Sequence, residues 1–175
     1  MRIGVISDTH DRLAAVDNAL EFFVAQNITQ IVHCGDWKSL TTVQYFAERA
    51  AKLGLTVQAV LGNNDTDVTE FLNYAAVAPG NFHISEGVLE FIAGTTHIAV
   101  YHGHHAPTLR RVKSNSNYAI VLLGHTHKPN IESENGRLIV NPGSTAFSIP
   151  RSREWKPSVA IVDTDTLKAQ IHFIT

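Results

Sequence analysis

A single cysteine, Cys34, leaves this 175-residue chain unable to build an internal disulfide framework or a cysteine-only metal cluster, which fits a reducing compartment. Long apolar runs are missing too. No stretch approaches the roughly 20 residues that cross a bilayer. The opening MRIGVISDTH reaches Asp8 before a signal-peptide apolar region is complete, so a cytoplasmic location and no membrane partner are expected. Charge of one sign is equally scarce. With 14 Lys+Arg against 16 Asp+Glu and a formal net charge of -2, the chain offers no extended basic surface for nucleic acid, while small phosphates remain open as substrates. Repeats and flexible linkers are absent from the sequence. Hydrophobic residues at 44% against 17% charged suffice for a core, so residues 1–175 are expected to form one domain.

What the chain has in excess is histidine: ten, gathered mostly in short polar clusters. The apolar pattern around them alternates between strand and helix. Residues 2–7, 30–33 and 56–61 read as buried strands, each followed by polar residues, and 13–25 and 41–52 as amphipathic helices between them. A short helix is expected within 66–78, capped by Thr66 or Asp67 and ended by Pro79-Gly80. The second half changes rhythm. Residues 88–93 and 97–101 form a hairpin across Gly94-Thr95-Thr96, a short helix starts at Pro107, and 119–123 is a strand ending at Gly124-His125. Residues 131–134 and 137–140 flank the hairpin turn Asn135-Gly136, 148–157 is a polar loop, and 159–163 pairs with 170–174. Together these elements predict an α/β fold, a four-layer αββα sandwich of two mixed β-sheets packed face to face with helices outside.

Polar clusters recur where strands end: Asp8-Thr9-His10, Gly35-Asp36, Gly62-Asn63-Asn64-Asp65, His102-Gly103-His104, Gly124-His125-Thr126-His127 and Asn141-Pro142-Gly143-Ser144. In an α/β sheet the carboxyl edge of the strands is the usual ligand crevice, so these loops are expected to share one rim. Asp8, His10, Asp36, Asn63, His102, His125 and His127 supply carboxylate, imidazole and one amide oxygen, with no thiolate. Such donors suit Mn, Fe, Zn, Co or Ni rather than Cu(I) or a calcium-only site. They are too many for one ordinary zinc ion. They suit two divalent ions sharing a carboxylate, about 3.5–4 Å apart, with a hydroxide activated between them, which predicts hydrolysis.

With these motifs in this order, the chain resembles the calcineurin-like metallophosphoesterase superfamily, and within it the small YfcE-type phosphodiesterases, over essentially its full length. The resemblance rests on Asp8-Thr9-His10 for D-x-H, Gly35-Asp36 for G-D, Gly62-Asn63 through Asp65 for G-N-x-D, His102-Gly103-His104 for H-G-H and Gly124-His125-Thr126-His127 for G-H-x-H. It implies that Asp8, His10 and His127 hold a first metal and that Asn63, His102 and His125 hold a second, with Asp36 between them. Mn comes first among the expected ions, with Ni, Fe or Zn as alternatives. The implied activity is hydrolysis of small phosphodiesters without a covalent enzyme intermediate.

The pattern departs from the superfamily at Asn64, where many members carry a leaving-group histidine; an amide orients a phosphate but delivers no proton. Together with the lack of an arginine near these motifs, this favours diesters with good leaving groups over monoesters. Phosphomonoesterase or nucleotidase activity is the alternative, followed by a nuclease. His104 is the candidate for the missing acid, with His105 as substitute, and Asn63, Asn64 and Asp65 complete the expected catalytic set. Asp65 is expected to orient neighbouring loop groups. Trp37 stands for either packing beneath the rim or stacking on a substrate ring. Lys128, Arg110, Arg111 and Lys113 read as solvated charge before they read as phosphate steering, and His33, His83, His97 and His172 as structural or surface histidines. A protein-interaction scaffold of the retromer-subunit type is the alternative outside catalysis, and it predicts lost ligands. The apolar run of Phe71, Leu72 and Tyr74 leaves open either helix packing or a homodimer.

Overall fold

The computed structural model describes residues 1–134, 136–146 and 156–174. Asn135 of the expected hairpin turn and residues 148–155 of the expected polar loop lie outside the described residues. The first half runs β1 (Arg2–Ile6), α1 (Leu13–Ala25), β2 (Gln30–His33), α2 (Leu40–Lys52), β3 (Thr56–Val60), α3 (Val68–Ala75) and β4 (Phe82–Ser85). The second half adds β5 (Leu89–Ala93), β6 (Thr96–Tyr101), α4 (Ala106–Ser114), β7 (Ile120–Leu123), β8 (Asn130–Glu134), β9 (Arg137–Asn141), β10 (Ser158–Asp163) and β11 (Lys168–Phe173).

A six-stranded sheet has the order β11-β10-β1-β2-β3-β4, and a five-stranded sheet the order β5-β6-β7-β9-β8. Both are mixed. β1 through β4 are parallel and β10 returns antiparallel beside β1, while β6, β7 and β9 are parallel with antiparallel β5 and β8 at the edges. Strand alternation then decides the layers. Ile3 and Val5 of β1, Val32 of β2, Ile98 and Val100 of β6, Ile120 and Leu122 of β7 and Leu138 and Val140 of β9 meet between the sheets. Their neighbours Ile6 and Ile31 face the other way, against Val16, Leu20 and Phe23 of α1 and Val43 and Phe46 of α2. Ala99, Tyr101 and Val121 likewise pack on Val112 of α4. The result is the expected αββα sandwich. Gly4 of β1 keeps α1 close, because a Cβ there would stand 2.7 Å from the Phe23 ring.

Three elements differ from their expected form. β4 was not legible as a strand; only Phe82 and Ile84 are apolar in it, and its place is set by parallel pairing with β3, Val57 opposite Phe82. Helix α3 stops at Ala75 rather than near 78, since Ala76 and Val77 are exposed and have nothing to pack on. Its cap is Asp67, whose side chain accepts from the Glu70 N–H. The β5–β6 register pairs Ala93 with Thr96, so the turn holds two residues, with Gly94 at a φ of 65°. Phe71 is buried in the α1–α2 core, and Leu72 and Tyr74, half-buried, pack against it, the helix-packing reading of this run. Among the described residues no helix is long and apolar enough to cross a membrane.

Candidate metal centre

The parallel strands β1, β2 and β3 end together, and so do β6 and β7, so the loops that follow them meet at one rim. The first two loops are laced by their backbones: Asp8 N–H donates to Gly35 O (2.9 Å), His10 N–H to Asp36 O (3.2 Å) and Asp11 N–H to Trp37 O (3.3 Å). At the rim the chain takes left-handed conformations at Asp8, His10 and Asp36 in these two loops and at His125 and His127 in the loop after β7, with φ of 55°, 41°, 62°, 70° and 57°. Such backbone is rare outside glycine and gathers where surrounding structure enforces it. Two glycines make room. A Cβ on Gly62 would fall 2.2 Å from Asp36 Oδ1, and one on Gly124 would fall 2.2 Å from Ser7 Oγ and 3.1 Å from Asp8 Oδ2.

Asp8, fully buried, spends one oxygen on its scaffold: Oδ2 accepts from Ser7 Oγ (2.5 Å) and from the His125 N–H (3.1 Å). The other oxygen, Oδ1, has no hydrogen-bond partner among the described residues. It lies 3.1 Å from His127 Nε2 and 3.8 Å from His10 Nε2. The His10 and His127 Nε2 atoms are 3.1 Å apart. Two ring nitrogens and an orphaned carboxylate oxygen converging in this way call for a cation or protons among them. Asp8, His10, Asp36 and His127 each offer an atom within 4.8 Å of the others, a donor set that fits a divalent ion.

Asp36 faces two directions. Its Oδ2 lies 3.5 Å from His10 Nε2, and its Oδ1 lies 3.3 Å from His102 Nε2. Asn64 holds the group from behind, its N–H donating to Oδ1 (2.9 Å) and its Nδ2 to Oδ2 (2.7 Å). Burial alone would raise this carboxyl; His102 and Asn64 outweigh it and hold Asp36 well below the ordinary carboxylate range. His102 is fully buried and donates Nδ1–H to Cys34 O (2.8 Å), so its Nε2 faces Asn63 Oδ1 (3.1 Å) and Asp36 Oδ1. Burial pulls His102 down, but Asp36 and Asp8 push it above the ordinary histidine value, and Asp8 does the same for His127. Burial lowers His10 and the exposed His125 and His104. The His125 ring stands 5.1 Å from that of His102, and the His104 ring 5.6 Å from His102 and 6.5 Å from His125.

The remaining candidates divide by what they touch. Asn64, expected to orient a phosphate through its amide, gives an amide N–H to Asp36 Oδ2. Asp65 orients the neighbouring loops as expected, taking the three backbone N–H groups of Gly62 (2.7 Å), Lys38 (2.7 Å) and Asp36 (3.0 Å) and so tying the β2 and β3 loops together. Burial raises it to about 6 despite those bonds. Trp37 is buried, donates Nε1–H to Val60 O (3.2 Å) and stacks on His33, so it packs beneath the rim. The loop after β9 braces the site: Ser144 Oγ lies 2.8 Å from Asp8 O, and Asn141 Nδ2 donates to Gly124 O (2.6 Å). Ser7, the residue before the D-x-H motif, escaped the sequence reading because a serine ending a strand carries no signal of what its hydroxyl will meet.

Comparison with known proteins agrees with this geometry. The model of the calcineurin-like phosphoesterase superfamily domain matches residues 1–167. A phosphodiesterase of Methanocaldococcus jannaschii is 28% identical over 165 residues, 94% of each chain. The phosphodiesterase YfcE of Escherichia coli is 29% identical over 177 residues, covering 95% of this chain and 90% of its own. The solved structure of an archaeal phosphodiesterase superposes with a TM-score of 0.84 at 27% identity, each chain covered completely. Matched along nearly its whole length by sequence, by fold and by the five motifs at its rim, the chain belongs to the calcineurin-like phosphoesterase superfamily, in the branch of the YfcE-type phosphodiesterases.

Proposed function

We propose that this protein, as one domain, hydrolyses small phosphodiesters at a centre holding two divalent ions. The observation that carries this reading is the Asp36 carboxylate, whose two oxygens face separate donor sets. Asp8, His10 and His127 would hold the first ion and Asn63, His102 and His125 the second, with Asp36 shared. Bound there, divalent ions supply activation of water and neutralisation of the phosphoryl oxygens. The remaining work falls to this chain's own groups. Asn64 and Asp65 fix Asp36 and its loop. His104, exposed with its ring 5.6 Å from that of His102 and 6.5 Å from that of His125, is the group assigned to hand a proton to the leaving oxygen. No histidine follows Asn63 to do this, and no arginine belongs to the rim motifs to clamp a doubly charged monoester, so diesters with good leaving groups are the preferred substrates.

The test strips the protein of metal and restores Mn, Ni, Zn or Mg in parallel, with matched aryl phosphodiester and phosphomonoester substrates and Asp36→Asn as control. Diester hydrolysis restored best by Mn and lost in Asp36→Asn is expected. Preference for the monoester would promote a phosphatase, and silence with every metal would move the protein to the interaction scaffolds. In His104→Ala, turnover should fall while both ions stay bound; unchanged rates on a poor-leaving-group diester would remove His104 from the scheme.

A further inference from the structure

Beneath the rim lies a buried histidine that supplies no candidate ligand. His33, the last residue of β2, is fully buried in an otherwise aromatic slot. It stacks on Trp37 with centroids 3.4 Å apart and planes at 12°, and meets Phe46 edge-on at 5.7 Å. A phenylalanine would fill this slot at no desolvation cost. The imidazole instead uses both nitrogens: Gly35 N–H donates to Nδ1 (3.0 Å), which leaves the proton on Nε2, 3.3 Å from Thr9 Oγ1. Thr9 Oγ1 in turn points at Asp36 O, 3.5 Å away. Thr9 stands between Asp8 and His10, and Gly35 precedes Asp36. One rigid ring therefore spans the two loops that carry the shared carboxylate and most of the first donor set.

We propose that His33, acting through Thr9, is a positioning residue that sets the spacing between the Asp8–His10 loop and the Asp36 loop, and thereby the affinity of the donor set for its ion. This rests on the metal-dependent reading above. A neutral imidazole suits the task because it offers an acceptor and a donor at fixed separation on a flat ring. Stacking on Trp37, itself tied to Val60 O of β3, references the spacer to the next strand.

The test is a double-mutant cycle of His33→Phe and Thr9→Val, with Thr9→Ser as the conservative variant. In metal-free protein, His33→Phe should speed hydrogen exchange of the Gly35 amide by about tenfold or more, while Thr9→Val leaves it less affected. Calorimetric titration with Mn should show each single variant weakened about tenfold, within the range found when groups orienting ligands are lost. The double variant should be no weaker than His33→Phe alone, and Thr9→Ser should bind like the parent. Additive losses, or Mn affinity unchanged in His33→Phe, would overturn the proposal. If the parent does not bind Mn, the same cycle is read with Ni, Zn or Mg; failure of the parent to bind any of them would overturn the metal-dependent reading, and the Gly35 exchange rates would then decide on their own whether His33 holds the loop.

Discussion

Replacing Asp65 by asparagine tests the latch behind Asp36, and pH supplies the lever. The carboxyl is buried at 3% exposure and ionises at about 6, against an ordinary value of 3.8. Between those values the native chain keeps a proton that the unfolded chain has lost, so stability falls as pH rises through the window, and the full cost is present above it. At about 1.4 kcal/mol per pH unit, that cost is about 3 kcal/mol at pH 7.5 and about 1 kcal/mol at pH 4.5. Asp65→Asn carries no such dependence. It also exchanges the carboxyl's contacts with the N–H groups of Lys38, Gly62 and Asp36 for those of an amide; measured against the protonated carboxyl, that exchange is independent of pH and cancels in the comparison. The destabilisation caused by Asp65→Asn should therefore be about 2 kcal/mol larger at pH 4.5 than at pH 7.5. Urea unfolding of metal-stripped parent and variant at both pH values measures it. An equal loss at the two pH values would refute the reasoning, because it would mean that Asp65 ionises as easily in the folded chain as in the unfolded one.

Gly62→Ala places a Cβ 2.2 Å from Asp36 Oδ1 and 2.5 Å from its backbone N, so Asp36 must move. About a tenfold loss of Mn affinity is expected by calorimetry, and parent-like affinity would show that the loop yields freely. In the metal-free protein Asp8 and Asp36 favour protonated His127 and His102, so metal binding should release protons, more at pH 6.5 than at pH 8. Titration in two buffers of different ionisation enthalpy reads this, and identical heats would contradict it. Gly4→Ala drives a Cβ to 2.7 Å from the Phe23 ring. It should cost about 1–3 kcal/mol of stability by thermal or urea unfolding while leaving Mn affinity unchanged, as expected for overpacking remote from the rim.

What could be read in the sequence was whatever is local. Leu13, Val16 and Leu20 recur at helical spacing, so α1 has in the structure the bounds its pattern implies. The polar clusters were visible because each follows a short apolar strand, and the strand ends could only converge if the sheets were parallel there. The rest depends on partners far away in the chain. β4 is a strand because β3 offers it an unpaired edge, and FHIS alone does not say so. Asn64 turns its amide inward because Asp36 arrives beside it from 28 positions away. His33 was read as structural or surface; its two hydrogen bonds and its stack on Trp37 appear only once β1 and β2 lie side by side.

The rim draws its donors from both sheets, and this orders events during synthesis. His10 and His127, whose ring nitrogens lie 3.1 Å apart, are separated by 117 positions in the chain. While the ribosome is still building the five-stranded sheet, the nascent chain presents Asp8, His10 and Asp36 without His127, which follows β7. The donor cluster cannot close until most of the chain has emerged and its two sheets have met. A metal ion captured by the complete cluster is thus taken up by a nearly finished molecule, and capture records that assembly has succeeded.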